Sequence, residues 1–160
     1  MKIVADSSPL IAFAILDRLD LFPLIFSEIH IPIAVYDEVT IPGMPYSKML
    51  RAFTEAKTKT VSNRVAVNLL TNEVDIGEAE TIVLALEHGI EDVLMDDAKG
   101  RKIAQTNGLH TIGTIGVLLQ AKKLGHIVEV KSYFDKLISH RIRIASSLYV
   151  KALELTGEEE

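Results

Sequence analysis

No cysteine occurs among the 160 residues. Thiol nucleophiles, CxxC redox motifs and Cys-based zinc sites are therefore excluded, and nothing points to a disulfide-stabilised secreted domain. A reducing cytoplasm is the expected compartment. Long apolar runs are also missing. The stretch from Pro9 to Leu16, the longest near the start, falls far short of the ~20 residues that span a bilayer. Asp6 and Pro9 are incompatible with a signal peptide, so the chain reads as soluble, untargeted and without a membrane partner. The five histidines (His30, His88, His110, His126 and His140) show no HxxxH or HxH spacing and suggest no metal site of their own. Neither a Walker A nor a GxGxxG sequence is present. Positive charge is scarce: 17 Lys+Arg stand against 22 Asp+Glu, a net charge of −5. That balance argues against a protein that coats nucleic acid through a broad basic face.

What is present is an ordinary globular composition, 48% apolar, long enough to bury a core without a disulfide or structural metal. One domain over 1–160 is expected, with a core at about 1–125, a helical extension at about 126–156 and a solvated acidic tail at 157–160. The run Lys2-Ile3-Val4-Ala5 reads as a strand ending at Asp6, and Ser8-Pro9 as the N-cap and first-turn proline of a helix. Ile29 and Ile31 mark a second strand, and Pro32 opens a helix with Val35 and Val39 one turn apart. Met49, Leu50, Phe53 and Ala56 give another helical period, whereas residues 57–75 carry no clear pattern. Asp75 to Gly89 is the clearest helix, with Ala79, Ile82, Val83 and Leu86 on its inward face. Asp92 to Met95 and Leu109 to Ile112 read as strands separated by a helix ending at Asn107-Gly108. Val117, Leu118, Ala121 and Leu124 mark a helix closed by Gly125, and the rest is helical. Alternating strands and helices imply right-handed crossovers and a mostly parallel sheet.

In such sheets ligands bind beyond the carboxyl ends of the strands, where Asp6 and Asp96-Asp97 fall. If those strands are neighbours their carboxylates converge, and Glu38 and Glu78 lie on helices able to line the same crevice. At ~5 Å and an effective dielectric of about 20, each like-charged pair costs roughly 3 kcal/mol, so the cluster calls for cations. Oxygen ligands without Cys or paired His select one or two Mg²⁺ or Mn²⁺ ions, and carboxylate-held ions suit phosphodiester hydrolysis. Structural readings stand beside these. Glu78 also fits a capping box with Asp75, one of Asp96 and Asp97 also fits an N-cap, only one of Asp37 and Glu38 can face the crevice, and Glu80 reads as surface. Thr114 reads as a helix cap. Lys99, Arg101 and Lys102 follow the double aspartate and are candidates to guide a phosphate backbone. The default for them, for Lys122-Lys123 and for Arg141 and Arg143 is a solvated face.

The pieces Ile3-Val4-Ala5-Asp6-Ser7-Ser8, Pro32 to Val39 with Glu38, Glu78 to Ala85 continuing to Gly89, and Val93 to Asp96 together resemble PIN-domain ribonucleases. In particular, the chain is similar to a PIN-like branch that opens on Asp6-Ser7-Ser8-Pro9-Leu10-Ile11 and continues with Gly77-Glu78, Asp96-Asp97 and Gly113-Thr114-Ile115-Gly116. The resemblance implies a three-layer α/β/α sandwich, Mg²⁺ or Mn²⁺ dependence and cleavage of RNA. In many relatives it also implies a toxin role with a cognate antitoxin protein, and a homodimer is a further expected assembly. Asp6, Glu38, Glu78 and Asp96 match the acidic metal-ligand positions, Asp97 is an additional catalytic candidate, and Ser7 matches a small hydroxyl residue. Leu94 stands where the family often has Ser or Thr. That departure motivates a second reading, a PIN-like module that binds RNA or protein without cutting. A phosphoacceptor domain is a third, weakened because its acid pair would sit at the first strand.

Overall fold

A computed structural model describes residues 1–159, so Glu160 of the expected acidic tail lies outside the described residues. Five strands, β1 (Lys2–Ala5), β2 (Glu28–Pro32), β3 (Thr58–Lys59), β4 (Asp92–Leu94) and β5 (His110–Ile112), pair in parallel in the order β3-β2-β1-β4-β5. The pleat sends alternate side chains to opposite faces. Ile3, Ala5, Ile31 and Leu94 therefore enter one apolar core, and Val4, Val93 and Met95 enter a second. A sheet buried on both faces favours short, continuously apolar strands of this kind.

The first core is closed by α1 (Ser7–Ile15), α2 (Leu21–Ile25), α3 (Ile33–Val39), α4 (Ser47–Thr54), α8 (Thr114–Lys123), α9 (Lys131–Ser139) and α10 (Ser146–Thr156). The second is closed by α5 (Arg64–Leu70), α6 (Ile76–His88) and α7 (Ala98–Thr106). The expected three-layer α/β/α sandwich is thus the observed fold, with a wholly parallel sheet. Phe134, Leu137, Ala152 and Leu153 place the last two helices on the first core. No helix among the described residues is long and apolar enough to cross a membrane.

Several local expectations change. α1 begins at Ser7, so Asp6, not Ser8, occupies its N-cap position, and Pro9 falls where the first turn has no amide partner to lose. Residues 57–75 hold β3 and α5. They were illegible because β3 has two residues and α5 buries only Val67, leaving Val65 and Leu69 exposed. Leu86 and Leu124, expected inward, are 48% and 49% exposed; Leu86 lies in the last turn of α6 and Leu124 is the C-cap of α8.

Glu158 is not a solvated tail residue. It pairs with Lys122 Nζ at 2.7 Å and accepts the Val130 and Lys131 N–H groups at 2.9 and 3.0 Å, capping the start of α9. Burial alone would raise its pKa. The Lys122 ammonium and the two amides outweigh burial and hold the carboxyl down at about 2.

Candidate functional site

The strand order runs outward in opposite directions from β1 and β4, which opens a crevice between their carboxyl ends. Ala5 pairs with Leu94, and the Asp6 N–H donates to the Leu94 carbonyl at 2.9 Å, so Asp6 stands at the lip of that crevice. It is 3% exposed, and its Oδ1 is buried without a hydrogen-bond partner. Burial pushes its pKa up to about 7. The Glu78, Asp75 and Glu38 charges add to the rise, and the Ser7 amide opposes it. Ser7 itself is buried, at the first position of α1.

The α6 N-terminus brings up the next carboxylates. Asp75 and Glu78 form the capping box that their spacing predicts: Asp75 Oδ1 accepts the Glu78 N–H at 2.8 Å, and Glu78 Oε2 accepts the Asp75 N–H at 3.1 Å. Between them Gly77 leaves an open face. A β-carbon there would stand 3.4 Å from Asp6 Oδ1, 3.4 Å from Glu38 Oε2 and 3.5 Å from Asp75 Oδ1. Three carboxylate oxygens from β1, α3 and α6 therefore surround one bare backbone position. Of the adjacent pair on α3, Glu38 is the residue that faces it. Asp75, which sequence reasoning assigned only to capping, is also at the cluster.

The buried Glu80 carboxylate, paired with a half-exposed Arg64, holds α3 in place. Glu80 is 2% exposed, contrary to its reading as surface; its Oε1 accepts the Ala34 N–H at 3.0 Å and its Oε2 meets Arg64 Nη1 at 2.7 Å. Pro32, at the N-cap of α3, makes no side-chain cap, so Glu80 supplies the missing acceptor. Ala34 lies one turn before Glu38, on the same helical face.

The adjacent aspartates after β4 diverge. Asp97 caps α7, its Oδ2 accepting the Gly100 N–H at 2.9 Å. A β-carbon at Gly100 would lie 3.6 Å from both Asp97 Oδ2 and Glu78 Cδ, so Asp97 borders the cluster on the Glu78 side. Burial raises the Glu78 pKa, helped by Asp75, Asp97 and Glu38 and opposed by the Asp75 amide. Asp96 turns away toward α8, where Oδ1 accepts the Thr114 N–H at 2.7 Å and Oδ2 the Thr114 hydroxyl at 2.6 Å. Gly113, not Thr114, is the N-cap of α8. Geometry therefore joins Asp6, Glu38, Asp75, Glu78 and Asp97, and ties Asp96 to a helix start beside them. Leu94 is buried in the first core. Lys99 and Lys102 are exposed on α7, while the Arg101 guanidinium lies over the strand ends, donating to the Met95 carbonyl at 3.4 Å.

Among the described residues no three His, Asp or Glu side chains form a ready-made coordination shell. The chemistry of the donors nevertheless fits a hard divalent cation. They are all carboxylate oxygens, one of them a buried acceptor with nothing to accept, facing a backbone cradle that any side chain at position 77 would fill. Glu38 is exposed and its carboxylate makes no hydrogen bond among the described residues, so it is free to adjust to a ligand.

A family model described as the PIN domain matches residues 2–158. Neither the curated proteins nor the solved structures give a match. PIN domains are generally nucleases and typically bind metal. Since the match spans nearly the whole sequence and the observed sandwich is the one that family implies, this chain belongs to the PIN-domain family.

Proposed function

We propose that the protein is a metal-dependent endoribonuclease that hydrolyses RNA phosphodiester bonds, with Asp6, Glu38 and Glu78 as principal Mg²⁺ or Mn²⁺ ligands. The observation that carries this reading is the buried, unpartnered Asp6 Oδ1 among like-charged neighbours. A bound divalent ion would supply an activated water and a counter-charge for the leaving oxygen. With its pKa raised to about 7, Asp6 would exchange its proton for a cation bound at its carboxylate. Asp75 and Glu78 keep each other oriented through the capping box, which engages one oxygen of each. Asp97 contributes charge from the far side of Glu78. Asp96 supports the site through α8, and Lys99 and Lys102 attract the phosphate backbone.

The test is cleavage of single-stranded and structured RNAs in Mg²⁺ and in Mn²⁺, with and without chelator. Chelator-sensitive products are expected, and Asp6→Asn is expected to lower the rate by ~10²–10³-fold, the loss of one main charge-stabilising group. Equal cutting by Asp6→Asn would overturn the assignment. One observation favours a second reading, RNA binding without cutting: Leu94, where the family often has Ser or Thr, is buried in the first core and offers the crevice no hydroxyl. The absence of products across all RNAs in Mn²⁺ would decide for it.

A further inference from the structure

A cavity of about 1310 Å³ lies beside the acid cluster, between α1, α7, α8 and the connection from α9 to α10. Ser8 and Asp96 border it on the side of the cluster. Its walls are aliphatic, built by Ile112, Leu119, Ile144 and Leu148. Three cations, Arg101, Lys102 and Arg143, line it, and among the described residues none of them is in an ion pair. Asp96 is the single acid on the lining, and Thr114 engages both of its oxygens. A chain of net charge −5 nevertheless keeps a cationic lining at this cavity. Gly113 allows it, because a β-carbon there would stand 2.7 Å from Arg101 Nη1 and 2.9 Å from Asp96 Oδ1. The volume exceeds the ~300–1,000 Å³ of a small-molecule site, leaving room for a chain of linked units.

Resting on the nuclease reading above, we infer that this cavity holds the single-stranded RNA that flanks the phosphodiester at the acid cluster. Arg101, Lys102 and Arg143 contact its phosphates, and a base lies against the aliphatic wall. The charge pattern selects a polyanion, and Ser8 and Asp96, two residues from Asp6 and next to Asp97 in the chain, bring one end of the track close to the cluster. No aromatic residue lines the cavity, so bases are not held by ring stacking and affinity comes from charge. Arg143 comes from the segment after α9, so the C-terminal helices build part of the substrate track.

Binding of a short, fluorescently labelled, mixed-sequence single-stranded RNA to the Asp6→Asn protein, followed by anisotropy in chelator across a salt series, tests this. Three phosphate contacts to a single strand predict a slope of log K against log salt of about −2. Lys102→Gln and Arg143→Gln should each weaken binding several-fold and flatten the slope by about 0.7, while Lys123→Gln, outside the cavity, changes neither. If both cavity variants bind with unchanged affinity and slope, the inference is wrong, and the cavity is left for a protein segment. Because nothing is cut in this experiment, a wild-type protein inert toward RNA would remove the nuclease reading without altering the binding result. The converse also holds.

Discussion

Asp6 places a carboxylate where its charged form is disfavoured, and the protein's stability must record this. Its pKa is raised from 3.8 to about 7 by burial first and by neighbouring acids second. The folded state therefore binds a proton that the unfolded chain has already lost. That contribution is complete below pH 4 and disappears as pH rises through about 7. In chelator, the wild type should lose stability between about pH 4 and pH 7 more steeply than Asp6→Asn, with a difference of a few kcal/mol in urea unfolding that levels off above pH 7. Identical pH profiles for the two proteins would contradict the burial of an unpaired charge. Gly77 gives a second test. An alanine methyl would make only ordinary contacts with the three carboxylates, and alanine is the better helix former by up to ~1 kcal/mol. Gly77→Ala should therefore fold as stably as the wild type yet lose at least ~10²-fold in metal-stimulated cleavage, because the methyl occupies the cradle. Full activity in a well-folded Gly77→Ala protein would show that no ion sits there.

Elements are held in register by acids whose roles were not visible in the sequence. Glu80 accepts an amide 46 residues away, and Glu158 accepts one 28 residues away. No local pattern reveals such partners, so both read as surface. The α6 capping box was legible because both halves lie within four residues, and the strand-end acids were legible because short apolar runs ended on them. Glu80→Ala leaves the Ala34 amide without its acceptor and Arg64 unpaired, and should cost about 2–4 kcal/mol in denaturant unfolding. A cost below ~0.5 kcal/mol would show that α3 does not depend on it. Glu158 has the opposite sign to Asp6. Its depressed pKa contributes stability that is present above pH 4.5 and is lost as pH falls toward about 2. Glu158→Gln should therefore be less stable than the wild type at pH 6, by ~1–3 kcal/mol, and the gap should close in acid.

At the scale of the whole molecule, the parallel sheet converts sequence separation into proximity. Neighbouring strands β1 and β4 bring Asp6 and Asp97 to one edge, and α3 and α6 add Glu38, Asp75 and Glu78. Alternation of strand and helix made this architecture legible from the sequence. It did not determine which of two adjacent aspartates would face the acids, because that depends on the Thr114 amide and hydroxyl across the β4–β5 edge. The most direct test of the central claim is an anomalous difference map from crystals grown in Mn²⁺. The account predicts a peak within coordination distance of Asp6 Oδ1, on the bare side of Gly77, that is absent from Asp6→Asn crystals. A fully occupied crystal with no peak there, or with Mn²⁺ bound only away from these carboxylates, would contradict it.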